Sequence, residues 1–239
     1  MIEKELDVGT PDGGMNTFIV HPEEGGPHPV VLFFMDAPGK REELHDMARR
    51  IAATGYYVML PNLYYRRVRE FVMTPDARAE MFAHMNSLSN AMVNDDGRAL
   101  LRYADADPAA RGGAVGCVGY CMSGPFAFAF AAAEPGRVAA AASFHGVRLC
   151  TDAHDSPHRD AARIRGELYF GCAETDEWAP PEMINALDAE LKQAGARYRV
   201  EWYPGTHHGF VFPQRPAVYA KASAERHWER LHALFARNL

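Results

Sequence analysis

The sequence predicts an α/β protein with a mostly parallel central sheet, helices on both faces and an antiparallel hairpin at one edge. Short, continuous apolar runs, typical of buried parallel strands, alternate with segments of helical periodicity. The first two strands instead alternate apolar and polar residues around a Pro/Gly turn. The chain shows neither an internal repeat nor an interdomain linker, so we expect residues 1–239 to form a single domain.

The N-terminal half begins with this hairpin and continues with a helix between two apolar strands. The helix has an apolar stripe, and Gly55 suits the position just past its end. The predicted elements are strands over residues 2–8 and 15–21, a strand over 29–34, a helix over 41–54 and a strand over 56–60.

The C-terminal half repeats the strand–helix order, as a sheet covered on both faces requires. We predict helices over residues 93–103, 126–133, 181–192 and 217–238, and strands over 114–118, 138–144, 166–172 and 198–203. Two irregular excursions, near residues 62–89 and 147–165, are expected to form the cap and the substrate pocket.

Composition narrows the class of function. The formal net charge is −6, which argues against a nucleic-acid partner. No apolar stretch is long enough to span a bilayer, and the acidic N-terminal segment lacks the apolar core of a signal peptide. The four cysteines are dispersed, so we expect a reduced, cytoplasmic protein without a disulfide framework. No dinucleotide or phosphate-loop motif is present, and we expect no cofactor.

Residues 114–124 (AVGCVGYCMSG) carry the strongest chemical signal in the chain. An apolar strand, a sharp turn and an Ala-rich helix follow one another, which is the setting of a nucleophile elbow. Cys121 would be the nucleophile, with the small residues Gly119 and Ser123 two positions before and after it. Ser123 is a rival, although Pro125 then occupies its second small-residue position. The helix N-terminus favours a thiolate and a developing oxyanion.

A carboxylate and an imidazole follow Cys121 in the order that a nucleophile–acid–base triad takes in this type of fold. Asp176 comes just after a predicted strand, with Glu174 and Glu177 as rivals. His207 and His208 follow the last predicted strand. An imidazole can accept the thiol proton and later protonate the leaving group, while the carboxylate fixes its orientation.

These motifs resemble those of the dienelactone hydrolase family of α/β-hydrolases. The likeness lies in the elbow GYCMSG, in Asp176, in the turn PNLY ending at Tyr64, and in a Tyr203 loop where His208 precedes Gly209 and Phe210. The resemblance implies an α/β-hydrolase fold and a Cys121–His208–Asp176 triad. It also implies hydrolysis of an activated ester or lactone, of the carboxymethylenebutenolidase type, through a thioester acyl-enzyme.

The resemblance implies further site residues. Asp36 matches the acidic residue that tunes the thiol in the family, and the N–H groups of Met122 and Ala37 match the oxyanion hole. The family holds a substrate carboxylate with two arginines. Arg78 matches the first, while Arg215 lies several residues later than the second should. Arg66, Arg67 and Arg69 are alternative anion contacts, and Tyr64, Tyr120 and Phe210 are candidate substrate contacts.

Other interpretations stay open from the sequence. The same triad suits thioester, peptide or carbon–carbon cleavage, and the scaffold also suits a non-hydrolytic binding or thiol-sensing protein. His154 and His158 have helical metal-ligand spacing, but Pro157 spoils that geometry, so we expect no metal. We expect a small-molecule ester or lactone as partner, no membrane contact, and a monomer or small homo-oligomer.

Overall fold

The computed structural model describes all residues from Met1 to Leu239 and contains one eight-stranded sheet, of order β1-β2-β4-β3-β5-β6-β7-β8. Strands β1 and β2 pair antiparallel, β2 and β4 also pair antiparallel, and all the other pairs are parallel. The strands are β1 Ile2–Thr10, β2 Gly13–His21, β3 His28–Phe34, β4 Tyr57–Pro61, β5 Ala110–Tyr120, β6 Val138–Phe144, β7 Glu167–Thr175 and β8 Arg197–His207.

Six α-helices connect or flank these strands. They are α1 Glu42–Ala52, α2 Arg78–Met85, α3 Asn90–Ala106, α4 Gly124–Ala133, α5 Pro181–Gln193 and α6 Lys221–Ala236. The first excursion contains α2, and the second contains a 3-10 segment at Pro157–Arg163. No helix combines the length and the apolar character needed to cross a lipid bilayer.

Two adjacent residues of β5 show that helices cover both faces of the sheet. A side chain added at Gly116 would meet Phe235 of α6 at 2.8 Å, whereas the Cys117 thiol lies 3.5 Å from the carbonyl of Ala127 in α4. Because successive strand residues point to opposite faces, α6 and α4 lie on opposite sides. The predicted α/β fold with its antiparallel edge hairpin is therefore confirmed.

The core is one connected cluster of 63 buried residues, and the middle of the sheet supplies much of it. All residues of β4 and nearly all of β3 are buried, as expected for parallel strands with both faces covered. The parallel strands β3, β5, β6, β7 and β8 end at one edge of the sheet, which is where ligands bind in open α/β sheets.

Several strands are longer than their apolar runs. β5 begins at Ala110, where the sequence predicts a loop, because Ala110 and Arg111 pair with His28 and Pro29 of β3. β7 and β8 continue to Thr175 and His207 for a similar reason, since they pair with each other. Neighbouring strands provide these hydrogen bonds, so the local pattern does not reveal them.

Candidate active site

Cys121 lies in the turn between β5 and α4, and its backbone is left-handed, with φ of 55°. The turn is possible because its flanks are small: a Cβ on Gly119 would lie 2.0 Å from the carbonyl oxygen of Ser123. The conformation costs free energy in any residue with a Cβ, and the packed surroundings must impose it. It presents the half-buried Cys121 side chain at the carboxyl edge of the sheet, next to the first turn of α4.

Ser123, the rival nucleophile, is fully buried. Its hydroxyl donates to the carbonyl of Phe34 at 2.9 Å and accepts the N–H of Tyr120 at 2.9 Å. The hydroxyl thus fastens the elbow to the end of β3, and its proton is directed away from solvent. Of the two candidate nucleophiles in the turn, Cys121 is therefore the accessible one.

The register of the last two strands brings the predicted acid and the predicted base together. Thr175 of β7 pairs with His207 of β8, so the next residues, Asp176 and His208, emerge side by side. His208 Nδ1 lies 2.8 Å from Asp176 Oδ2. The other oxygen of Asp176 accepts the N–H groups of Trp178 and Ala179, which fixes the carboxylate in a buried position.

The charge state of His208 reflects these contacts. Burial alone would lower the pKa of the imidazole, but the hydrogen bond to Asp176 and the interaction with the Cys121 sulfur outweigh it and raise the pKa to about 10. The predicted base is therefore a cation in the folded protein, and it lies beside the sulfur of the predicted nucleophile.

The alternative candidates for the acid and the base do not take part in the Asp176–His208 pair. Glu174 is exposed and accepts the N–H of Gly205 at 2.8 Å, which orders the bulge in β8. Glu177 lines the cavity but makes no hydrogen bond to His208, and His207 is exposed.

Cys121 and His208 open into a cavity of about 430 Å³. The predicted pocket excursion supplies much of its wall, and Val147 and Arg148 come from the second excursion. The apolar lining includes Met73, Met81, Phe82, Met85 and Trp178. The charged lining consists of Arg78, Arg148, Glu177 and Arg215 together with the His208 imidazolium. Ala37 also lines this cavity, while Met122 lines an adjoining one. The main cavity therefore suits a ligand with an apolar body and an anionic group.

Asp36 makes no hydrogen bond to the thiol, contrary to the role that the resemblance implies. Its buried carboxylate accepts Arg41 Nη1 at 2.5 Å and a hydrogen bond from Arg215, and no hydrogen bond joins it to Cys121. The aspartate side chain is one methylene shorter than glutamate, and two guanidinium groups occupy its oxygens. Asp36 instead holds Arg215 at the cavity wall.

Three of the predicted substrate contacts are buried outside the cavity lining. The hydroxyl of Tyr64 donates to the carbonyl of Ala37 at 2.8 Å and lies 3.2 Å from Met122 Sδ. Tyr120 bonds His227 at 2.8 Å, and Phe210 packs against Tyr203. Tyr64 therefore braces the two residues of the predicted oxyanion hole, while Tyr120 and Phe210 belong to the core. Aromatic character alone did not distinguish these roles.

The arginines divide into two groups. Arg78 and Arg215 both line the cavity, although Arg215 is late in the sequence, because the turns after His208 bring it back over Gly209. Arg66 pairs with Asp96, Arg69 pairs with Asp7, and Arg67 donates to His84. Arg66 and Arg69 therefore tie the first excursion to α3 and to β1, whereas the Arg67 bond lies within the excursion itself.

His145 is a further neighbour of the site. It directly follows β6 with a φ of 39°, is buried, and stacks edge-on against His208 with 4.8 Å between ring centroids. Neither ring nitrogen has a hydrogen-bond partner, and burial holds its pKa well below the usual value, so the ring is neutral. A single histidine at a strand end carries no signal of this proximity.

The metal candidates do not converge. His158 lies 2.8 Å from the hydroxyl of Ser156, and no group of three or more His, Cys, Asp or Glu side chains is arranged to hold a metal ion.

Comparison with known proteins is consistent across sequence and structure. The dienelactone hydrolase family model matches residues 15–239. A Synechocystis sp. protein named "Putative carboxymethylenebutenolidase" is 27% identical over 229 residues, which cover 93% of this chain and 91% of that protein. A protein of the same name from Methylorubrum extorquens is 26% identical over 239 residues, covering 98% of this chain and 81% of that protein.

Solved structures show the same fold. A Klebsiella pneumoniae protein described as "Putative Dienelactone Hydrolase" superposes with a TM-score of 0.88 at 24% identity, covering 98% of both chains. The dienelactone hydrolase-like promiscuous phosphotriesterase P91, from metagenomic libraries, gives 0.85 at 20% identity and covers 99% of this chain and 98% of that one. With its fold and nearly its whole length matched, the chain belongs to the dienelactone hydrolase family.

Proposed function

We propose that this protein hydrolyses an activated ester or lactone through a Cys121–His208–Asp176 triad. The observation that carries the proposal is the convergence, on one cavity, of a thiol in a strained turn and an imidazole bonded to a buried carboxylate. Residues of these types, in this geometry, are what acyl transfer to sulfur requires.

In the first step, the Cys121 sulfur attacks the substrate carbonyl carbon, and the carbonyl oxygen becomes an oxyanion. The N–H groups of Met122 and Ala37 are the proposed donors to that oxyanion. The imidazolium of His208 gives its proton to the leaving oxygen as the carbon–oxygen bond breaks, which produces the thioester and an alcohol. In a lactone, the alcohol stays attached to the acyl group.

In the second step, His208, now neutral, takes a proton from water as that water attacks the thioester. The carbon–sulfur bond breaks, the carboxylic acid leaves, and the thiolate–imidazolium pair is restored. Asp176 keeps the imidazole ring in position and stabilises its charge throughout.

The leaving-group chemistry defines the substrate class. Thiolate leaves more readily than alkoxide, so the tetrahedral intermediate reverts unless the ester oxygen is a good leaving group or ring strain is released. Enol esters and lactones meet this condition better than simple alkyl esters. The apolar and cationic cavity lining further favours an apolar body with a carboxylate, held by Arg78 and Arg215.

The test is the opening of a dienelactone, followed by ultraviolet absorbance, in wild type and in Cys121→Ala. Removal of the nucleophile should lower kcat/KM by at least about 1,000-fold. Acylation should also appear as added mass on the peptide that contains Cys121.

The matched control is Cys150→Ala, because Cys150 is also partly exposed but does not line the cavity. Its activity should equal that of wild type. Turnover that survives in Cys121→Ala would remove this residue from the mechanism. A wild type that forms no thioester and opens neither the lactone nor an uncharged enol ester would favour a thiol-sensing or binding role.

A further inference from the structure

The catalytic cavity has an excess of positive charge. Its lining contains three arginines, Arg78, Arg148 and Arg215. It contains one carboxylate, that of the exposed Glu177. Arg215 is paired with Asp36, whereas Arg78 and Arg148 form no ion pair with any residue of the chain. One substrate carboxylate accounts for Arg78 and Arg215, but Arg148 remains without a counter-charge. An uncompensated guanidinium in a cavity wall favours an anionic ligand.

Arg148 is held in an unusual backbone conformation. Its φ is 53°, in the left-handed region that glycine adopts without a Cβ penalty. Its neighbours fix the segment: the Val147 N–H donates to the Cys121 carbonyl at 3.1 Å, and Leu149 is buried. One hydrogen bond thus joins the elbow to the residue that precedes Arg148.

The side chain of Arg148 contributes little to the fold. It is exposed, and its one hydrogen bond goes to the side chain of Asn86 at 3.2 Å. A glycine would satisfy the backbone better, and the guanidinium stabilises no buried carboxylate. Strained residues of this kind concentrate at functional sites, where the side chain has a use other than stability.

The position of Arg148 indicates that use. With Met85 and Val147, it belongs to the walls of both the catalytic cavity and an adjoining cavity of about 410 Å³. The adjoining cavity presents neutral polar side chains, among them Ser89, Thr151 and Ser156, and two charged ones, Arg148 and Asp155. A group that extends from the catalytic cavity toward its neighbour therefore passes Arg148.

We propose that Arg148 binds a second anionic group of the substrate, so that the enzyme acts on esters or lactones with two carboxylates. The first carboxylate faces Arg78 and Arg215, and the second is held by Arg148 on the side of the adjoining cavity. This inference rests on the proposed hydrolytic function for the reaction, although the binding site itself is independent of turnover.

Calorimetric binding of stable dicarboxylates tests the subsite without catalysis. The probes are succinate, glutarate, adipate and pimelate, each compared with the monocarboxylate of the same chain length. Wild type should bind the best dicarboxylate about ten-fold more tightly than its monocarboxylate. Both Arg148→Gln and Arg148→Gly should lose this preference and keep monocarboxylate binding.

The two Arg148 variants also separate binding from strain, and one further variant is the control. Arg148→Gly should also raise the melting temperature, because glycine relieves the left-handed backbone, whereas Arg148→Gln should not. Arg163→Gln, an exposed arginine outside the cavity, should leave binding unchanged. The proposal is overturned if wild type does not prefer any dicarboxylate, or if the preference survives in both Arg148 variants.

Turnover then distinguishes this inference from the proposed function. A preference for dicarboxylates that depends on Arg148, without hydrolysis of any ester, would contradict the hydrolytic function and keep the subsite. Hydrolysis through Cys121 with no such preference would keep the function and remove the subsite.

Discussion

Asp176 serves two purposes with one carboxylate. Oδ1 accepts the N–H groups of Trp178 and Ala179, as a loop-capping aspartate does, while Oδ2 holds His208 at 2.8 Å. One side chain therefore both caps its loop and holds the imidazole. Because the loop bonds pin the carboxylate, the imidazole has a fixed partner before any substrate arrives.

The raised pKa of His208 links the site to stability. The folded value is about 10, and an unfolded histidine titrates near about 6.5. Since the folded pKa is the higher one, protonation of His208 stabilises the fold fully below about pH 6.5, and this stabilisation disappears as the pH rises through about 10. The free energy of unfolding of wild type relative to His208→Gln should therefore fall across that window.

Urea unfolding of both proteins at about pH 6 and about pH 10 measures this difference. His207→Gln, at the exposed neighbouring histidine, is the control and should follow wild type at both values. An unchanged difference between the two pH values would show that the Asp176 and Cys121 contacts do not raise the pKa of His208.

At the scale of elements, the strand β5, the turn and α4 form a unit in which sequence requirements are strict. A side chain at Gly119 would collide with the carbonyl of Ser123, and one at Gly124 would lie 2.4 Å from the Ser143 hydroxyl. The spacing of small residues therefore reveals the elbow from sequence. Tyr64 and Arg215 reach the elbow from distant segments of the chain. The sequence around the elbow therefore reveals neither the Tyr64 contacts to Ala37 and Met122 nor the guanidinium of Arg215 in the cavity wall.

Gly119→Ala should destabilise the protein by about 3 kcal/mol, because the new Cβ would lie 2.0 Å from a backbone oxygen that must shift. Gly112→Ala lies on the same strand, where a Cβ meets nothing within 4 Å, and should change stability by less than about 0.5 kcal/mol. Chemical denaturation compares the three proteins. Equal stability of the two variants would contradict the collision.

The ends of β7 and β8 are longer than the periodicity of the sequence predicts. The sequence predicts loops from Ala173 and from Pro204, yet both strands continue and the register shifts between Ala173 and Thr175. Gly205, with φ of 70°, accommodates part of this bulge. The order of strands identified Asp176 and His208, but their contact depends on pairing across the sheet, which no single segment encodes.

At the scale of the whole molecule, hydrogen bonds and ion pairs of polar and charged side chains connect the first excursion to α3 and to the N-terminal hairpin. Arg66 binds both Asp96, buried in α3, and Asp12 in the hairpin turn. Tyr65 bonds Thr10 and the same Asp96. These contacts fix the segment that leads into the cavity wall at Met73 and Arg78.

Arg66→Met should destabilise the fold by about 3 kcal/mol, since it leaves the Asp96 carboxylate buried without its cation. Arg69→Met is the matched control: its pair with Asp7 is exposed and solvent-screened, so the free energy of unfolding should hardly change. Thermal or urea unfolding separates the two. A comparable loss in both variants would show that burial of Asp96 does not govern the cost.

The fold, the family and the three triad candidates could be predicted from sequence because apolar runs and short motifs indicate them. The residues that line the cavity were harder to predict, since the tertiary packing decides which side chains are buried in the core and which face the cavity. Tyr120 and Phe210 are aromatic residues of the kind that line pockets, but both are buried in the core. Arg215 lies later in the sequence than the family pattern requires and still lines the cavity. Asp36 occupies the expected position, yet its carboxylate binds two arginines and makes no hydrogen bond to the thiol.

The left-handed backbone at Arg148 has a consequence for comparing relatives. A residue that burdens folding persists only while selection on its side chain continues, and drift otherwise returns such a position to glycine. The residue type at this position is therefore expected to vary with the proposed second anion subsite. Relatives with arginine here should share the proposed preference for dicarboxylates, and relatives with glycine should lack it, whatever their overall identity.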